Sequence, residues 1–344
     1  MTVWLVRAGR DGLRERAALE QGAVFIGFDE VGDVSAFDTK PELFEALLRA
    51  SGHGENTVAN HANQVWSFAK KIQIGDIVAL PLKRSPEVAL GVVEGPYEYD
   101  VSADLETRHR RRVRWVRPDT PRSAFGQDLL YSLGAFLTVC RIQRNDADKR
   151  IAAIMDGRPD PGSGERLSTG ALRPAEEDAS SDDAEAVDLA RYGRDRIASH
   201  ISRVFAGHRL TDLIDAILVA EGFHTFVSPP GPDGGVDILA GSGPLGFDEP
   251  RLCVQVKTGE ADAPMLRDLQ GTMRNVGASQ GLFVAWAGFK KTARDEERRT
   301  FFDVRLWDSD DVIERLTAVY DRLPAAIRDE LPLTQVWTLV EVEE

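Results

Sequence analysis

Between about Asn145 and Asp188 the sequence runs almost without large apolar side chains, as in DGRPDPGSGERLSTGALRPAEEDASSDDAE. A segment with so little apolar surface to bury cannot offset the entropy of being ordered. It therefore divides the chain into two stretches that must each build a core of their own. At 344 residues there is length for both, since a single core stops growing near roughly 250–300 residues. The predicted organisation is a first domain over 1–143, a flexible acidic linker over 144–188, and a second domain over 189–344.

With 42% hydrophobic and 28% charged residues the chain reads as globular. It has no apolar run of 18 residues and no signal peptide, so a cytoplasmic location and no membrane partner are expected. Cys140 and Cys253 stand in alternating apolar runs, where reduced, buried thiols are expected rather than a disulfide. A net charge of −14 speaks against a protein that coats nucleic acid by bulk electrostatics. Charge is unevenly spread, however: RHRRRVRWVR at 108–117 holds six arginines and His109. A local basic footprint is thus open to an otherwise acidic molecule.

The first domain reads as mixed α/β, with strand runs at VWLVRA, AVFIGF, DIVALPL, VALGVVEG, RVRWV and FLTVCRI. DTKPELFEALLRA predicts a helix: Thr39 and Glu42 have capping-box spacing and Pro41 falls where a first turn tolerates it. In the arginine run, the two-residue strand period puts Arg110, Arg112 and Arg114 on one face and Arg111, Val113 and Trp115 on the other. Such a row either tracks phosphates or keeps a solvated edge strand from aggregating. Trp4, Phe28, Trp66, Tyr97, Tyr99 and Trp115 are a supply of aromatic rings for a pocket or for a core. No His/Cys group has zinc spacing.

From His208 onward helix, strand, Gly/Pro loop, two strands, and then alternating helices and strands predict an α/β domain with a mixed central sheet. GPDGGVDILAGSGPLGFDEPRLCVQVKTG is its chemical centre. In VDILA and LCVQVK, Gln255 and Lys257 share a face by the strand period, and pairing through the loop brings Asp237 to the same face. A hard carboxylate, an amide oxygen and an ammonium together suit a divalent cation and a phosphodiester gaining charge. Either fragment alone is ordinary strand sequence; the combination after a glycine-rich loop is not.

GFHTFVSPPGPDGGVDIL followed by CVQVK resembles the catalytic domain of Mrr-type restriction endonucleases, a branch of the PD-(D/E)xK superfamily with Q-x-K as second motif. The resemblance runs from about 208 to 320 and includes GLFVAWAGFKKTARDE. It implies Asp237 as metal carboxylate, Gln255 as polar metal ligand, Lys257 as catalytic lysine and Mg²⁺ as cofactor; Pro232-Asp233 is expected to be loop. The family's first-helix glutamate falls at Thr211 here, with Asp215 a turn away as a replacement. Residues 3–143 resemble PUA-like barrels of the EVE/ASCH kind. The implied fold is an α+β PUA-like β-barrel domain ahead of an α/β nuclease domain.

The resemblance implies a modification-dependent DNA endonuclease acting in restriction and phage defence. Its expected partner is double-stranded DNA carrying modified bases, with Arg110, Arg112, Arg114, Trp66 and Trp115 as DNA-binding residues. Cutting two strands with one centre per chain favours a homodimer. Two alternatives stand beside it: a modified-nucleic-acid binding protein whose nuclease fold has lost its acid, and a nuclease acting on RNA or branched DNA.

Overall fold

A computed structural model describes residues 1–9, 12–135, 137–162, 188–229 and 235–337. Pro232-Asp233 and most of the expected linker lie outside them. The chain forms two compact units, Met1–Tyr192 and Gly193–Glu341.

The first unit contains β1 (Val3–Val6), α1 (Glu15–Gln21), β2 (Ala23–Ile26), α2 (Lys40–Ser51), α3 (Glu55–Trp66), β3 (Ile77–Pro81), β4 (Glu87–Tyr99), β5 (His109–Pro121), α4 (Gln127–Leu133), β6 (Val139–Ile142) and α5 (Ala147–Met155). Its six strands form one sheet in the order β2-β5-β4-β3-β1-β6, with β1 and β3 parallel and the remaining neighbours antiparallel. Alternation along β1 shows why helices cover both faces. Trp4 and Val6 join the α2 and α3 core through Leu43, Val58 and Val65, whereas Val3 and Leu5 join that of α4 and α5 through Leu129 and Ile151. The end strands β2 and β6 do not pair, so among the described residues the expected PUA-like barrel is instead an open mixed sheet.

The core also extends past residue 143. Ile151 and Ile154 of α5 are buried in it, and Arg150 joins Asp128 to the buried Asp160. Chain assigned to the linker by its composition is thus held by the apolar side of one short helix and by one guanidinium, a density of signals too low for a composition window to register.

The second unit contains most of α6 (Leu189–Val204), then α7 (Arg209–Glu221), β7 (His224–Val227), β8 (Ile238–Ser242), β9 (Asp248–Lys257), α8 (Ala263–Val276), β10 (Gln280–Ala285), α9 (Lys291–Glu297), β11 (Val304–Trp307), α10 (Ser309–Val319) and α11 (Ala325–Glu330). The five strands run β11-β10-β9-β8-β7, parallel from β11 to β9 and antiparallel from β9 to β7. This is the mixed sheet expected from the order of elements. On one face Ile238, Val254, Val256 and Val284 meet α7 and α10; on the other Cys253, Phe283 and Ala285 meet α8 and α9.

Candidate active site

The register of β8 and β9 pairs Ile238 with Val254 and Leu239 with Cys253. Just before β8, the Asp237 N–H donates to Val254 O at 3.0 Å, and its Oδ2 accepts from the Val256 N–H at 2.7 Å. The half-buried carboxylate thereby occupies a ladder position and lies against the residue between Gln255 and Lys257. Burial pushes the Cys253 thiol up to about 11, and the Asp237 charge adds to the shift. Cys253 belongs to the α8 face of the sheet, and strand alternation puts Gln255 and Lys257 on that same face.

Gln255 extends beneath α8. A Cβ on Gly235, whose φ is +87°, would stand 3.7 Å from Gln255 Nε2 and 3.8 Å from Thr272 Oγ1. Gln255 Oε1 is buried with no hydrogen-bond partner. An unpaired buried carbonyl oxygen costs about 1–3 kcal/mol unless something meets it. Lys257 is exposed at the end of β9, with no side-chain partner among the described residues. Carboxylate, orphaned amide oxygen and unpaired ammonium are thus gathered on neighbouring strands. Both oxygens fit a hard divalent cation. No group of three or more His, Cys, Asp or Glu is placed to hold a metal ion among the described residues.

Residues 202–316 match the Mrr catalytic-domain family, described as restriction endonuclease. This stretch is a restriction endonuclease domain of the Mrr type. The family is in general dependent on divalent metal. Residues 4–128 match a family described as a domain of unknown function. No curated protein matches the sequence. Among solved structures, the DNA modification-dependent restriction endonuclease AspBHI is 12% identical, over 90% of this chain and 79% of its own, with a TM-score of 0.32. MspJI restriction endonuclease in complex with a 27-mer oligonucleotide is 15% identical, over 92% and 75%, with a TM-score of 0.33. A protein of unknown function, AF1548, is 16% identical, over 38% and 76%, with a TM-score of 0.24. These likenesses are distant, and the domain assignment stands on the family match.

In the endonuclease domain Thr211 is 2% exposed in the first turn of α7. One turn on, Asp215 Oδ1 is buried without a partner. The apolar side of α7 packs on the sheet face of Val254 and Val256, opposite that of Gln255 and Lys257. No helix among the described residues is long and apolar enough to cross a membrane.

In the first unit, Arg111 and Val113 are buried while Arg112 and Arg114 are exposed, in line with the strand alternation. Arg111 is fixed by three carbonyls: Nε donates to Phe68 O at 2.6 Å, Nη2 to Ala69 O at 2.9 Å and Nη1 to Gly95 O at 3.3 Å. Burial lowers its pKa to about 10. Sequence reasoning missed what faces the outer arginines. Arg110 pairs with Glu98 at 3.0 Å and Asp100 at 3.2 Å, Arg112 with Glu98 at 3.7 Å, and Arg114 with Glu94 at 2.7 Å. These acids lie on or just after β4, and only the β4–β5 register brings them opposite. Trp115 donates its indole N–H to Ala18 O at 2.9 Å and packs beside the core. Trp66 is half-buried against the α2 and α3 core, with Lys70 Nζ 5.6 Å from its ring centroid.

A buried aromatic group lies at the start of β5. His109 Nδ1 is 2.8 Å from the Tyr97 hydroxyl, which also accepts from the Val34 N–H at 3.2 Å. Burial lowers the His109 pKa to about 4, so its imidazole is neutral at pH 7.

Proposed function

We propose that this chain is a modification-dependent, Mg²⁺-dependent DNA endonuclease, cutting with Asp237, Gln255 and Lys257 and selecting its substrate with the first unit. The observation that carries the cleavage assignment is the Asp237 carboxylate bonded to the Val256 N–H, with Gln255 Oε1 orphaned on one side of that residue and Lys257 unpaired on the other.

Hydrolysis adds a water oxygen to phosphorus and breaks the bond to the leaving oxygen, which departs with a proton. Asp237 and Gln255 would hold the cation, which supplies Lewis-acid stabilisation of the phosphoryl oxygens when bound. Asp237 is oriented for this by its hydrogen bond to Val256, which stops its carboxylate rotating away. Lys257 sets a positive charge where negative charge develops, and its N–H groups orient the attacking water. The short hairpin gives each group a fixed place.

The resemblance of the sequence to Mrr-type restriction endonucleases supports modification dependence, and the first unit, which lies outside the matched catalytic stretch, is the part left to read a flipped base. Of the arginine row, Arg112 and Arg114 have side chains 70% and 58% exposed and are the members best able to leave their acids for a phosphate. Arg110 is more buried and doubly paired, and with Trp115 it steadies the sheet that presents them. Trp66 is the remaining candidate ring. Cutting both strands with one centre per chain calls for two copies on the DNA.

One observation favours a binding protein without catalysis: Thr211 leaves the first helix without the family's carboxylate. Incubating the full chain with modified and unmodified phage DNA, with Mg²⁺ or with a chelator, decides between the readings. Cutting of modified DNA alone, and only with Mg²⁺, is expected. Binding without cutting across cytosine and adenine modifications overturns the enzyme reading, and equal cutting of both DNAs overturns the selective one.

A further inference from the structure

From Gly193 onward the sequence contains three lysines, Lys257, Lys290 and Lys291. The fold brings all three to one place. β9 and β10 run parallel with Lys257 opposite Ala285, so their C-terminal ends coincide. The loops that leave them stay together. Trp286 N–H donates to Lys257 O at 2.9 Å, Ala261 N–H to Gly288 O at 3.1 Å and Lys290 N–H to Ala261 O at 2.9 Å, while Ala261 and Phe289 form a parallel bridge. Lys290 and Lys291 therefore enter α9 beside the loop that begins at Lys257.

All three are exposed, and none has an ion-pair partner among the described residues. Many arginines of the same unit are engaged: Arg209 with Glu330, Arg251 with Glu249, Arg294 with Asp308 and Arg315 with Glu221. Of the two acids in the loop after Lys257, Asp262 accepts from the Met265 N–H as the cap of α8, and Glu260 is also engaged. Unpaired ammonium groups gathered at the carboxyl ends of parallel strands, in a chain of net charge −14, suit a polyanion laid across those ends.

We propose that Lys290 and Lys291 hold the phosphates flanking the one cut beside Lys257, so that the ends of β9 and β10 form a single track for the DNA backbone. The proposal rests on the cleavage site being that of Asp237, Gln255 and Lys257. Phosphate contacts carry no base information, so this track serves modified and unmodified DNA alike.

The test uses the full chain carrying Asp237→Asn, so that DNA is bound without being cut. Its affinity for a modified duplex and for the unmodified twin is measured over a series of KCl concentrations. Adding Lys290→Ala and Lys291→Ala should weaken both complexes by about tenfold and reduce the slope of log K against log salt by about 1.8, roughly 0.9 for each phosphate that is no longer neutralised. Lys290→Arg with Lys291→Arg should keep the slope. Arg328→Ala removes one exposed charge from α11, whose Ile327 packs on the α7 side, and should leave the slope unchanged. A double-alanine slope equal to the parent's, or an equal fall for Arg328→Ala, overturns the proposal. Failure of the cleavage assignment shows separately, as undiminished cutting by Asp237→Asn in Mg²⁺.

Discussion

Asp237 has a structural task and a chemical one, and two substitutions separate them. Its Oδ2 accepts from the Val256 N–H at 2.7 Å in a part-buried ladder position. Asp237→Ala leaves that N–H without its acceptor, at a cost of about 1–3 kcal/mol. For a domain of roughly 150 residues each kcal/mol lowers Tm by about 2–4 °C, so a fall of several degrees is expected. Asp237→Asn keeps an acceptor oxygen of the same reach and removes only the charge. Its Tm should stay within about 2 °C of the parent. Both variants should lose cleavage, because Gln255 is neutral and Asp237 supplies the only negative charge of the pair that would hold the cation. Thermal unfolding by circular dichroism and cleavage of modified phage DNA are measured on the same preparations. Equal destabilisation by the two substitutions would refute the ladder role, and undiminished cutting by Asp237→Asn would refute the chemical one.

Gln255→Leu removes an unpartnered buried amide oxygen at similar volume; stability should hold or rise by about 1 kcal/mol in urea unfolding while cleavage falls, since the desolvation cost goes with the amide. Asp311, pushed up to about 6 by burial and the Asp308 charge, binds a proton in the folded state at pH values where the unfolded chain has released it. Stability should therefore decline as pH rises from about 4 to 6, by about 1–2 kcal/mol relative to Asp311→Asn, and a flat difference between parent and variant in denaturant titrations would count against this. Arg150→Ala strands the buried Asp160, which Arg150 Nε meets at 2.7 Å; a loss of about 3–5 kcal/mol is expected in chemical denaturation of the first unit. A fragment ending at 143 lacks Arg150, Ile151 and Ile154 and should not fold, whereas one ending at 162 should, as amide dispersion in NMR will show.

The second unit was the more legible half. Alternation in VDILA and LCVQVK put Gln255 and Lys257 on one face, and the hairpin that brings Asp237 to them spans a short stretch of chain. In the first unit the deciding pairs are no more distant, since Glu94, Glu98 and Asp100 face the arginines across one hairpin, but the strand period names the face of each arginine and not the β4–β5 register that sets the acids opposite. Thr39 does precede α2 as expected, but its side chain makes no capping bond, and Glu42 instead accepts from the Asp38 N–H at 3.2 Å. Local spacing named the helix start and missed the bonding. Lys290 and Lys291 had a signal that went unused: in a stretch where arginine is the common base, three lysines are a rare type, and rarity can be counted before any fold is known.

The parallel pairing of β9 with β10 has a consequence for the order of assembly. A hairpin closes locally, so the β8–β9 turn can set Asp237 against Val256 early, whereas parallel strands pair only after the connecting chain has crossed back over the sheet. Here that chain is α8, and until it docks on Cys253 and Phe283 the ends of β9 and β10 are apart. The hairpin therefore carries Asp237 and Lys257 together, and Lys290 and Lys291 join them only once β10 has paired with β9.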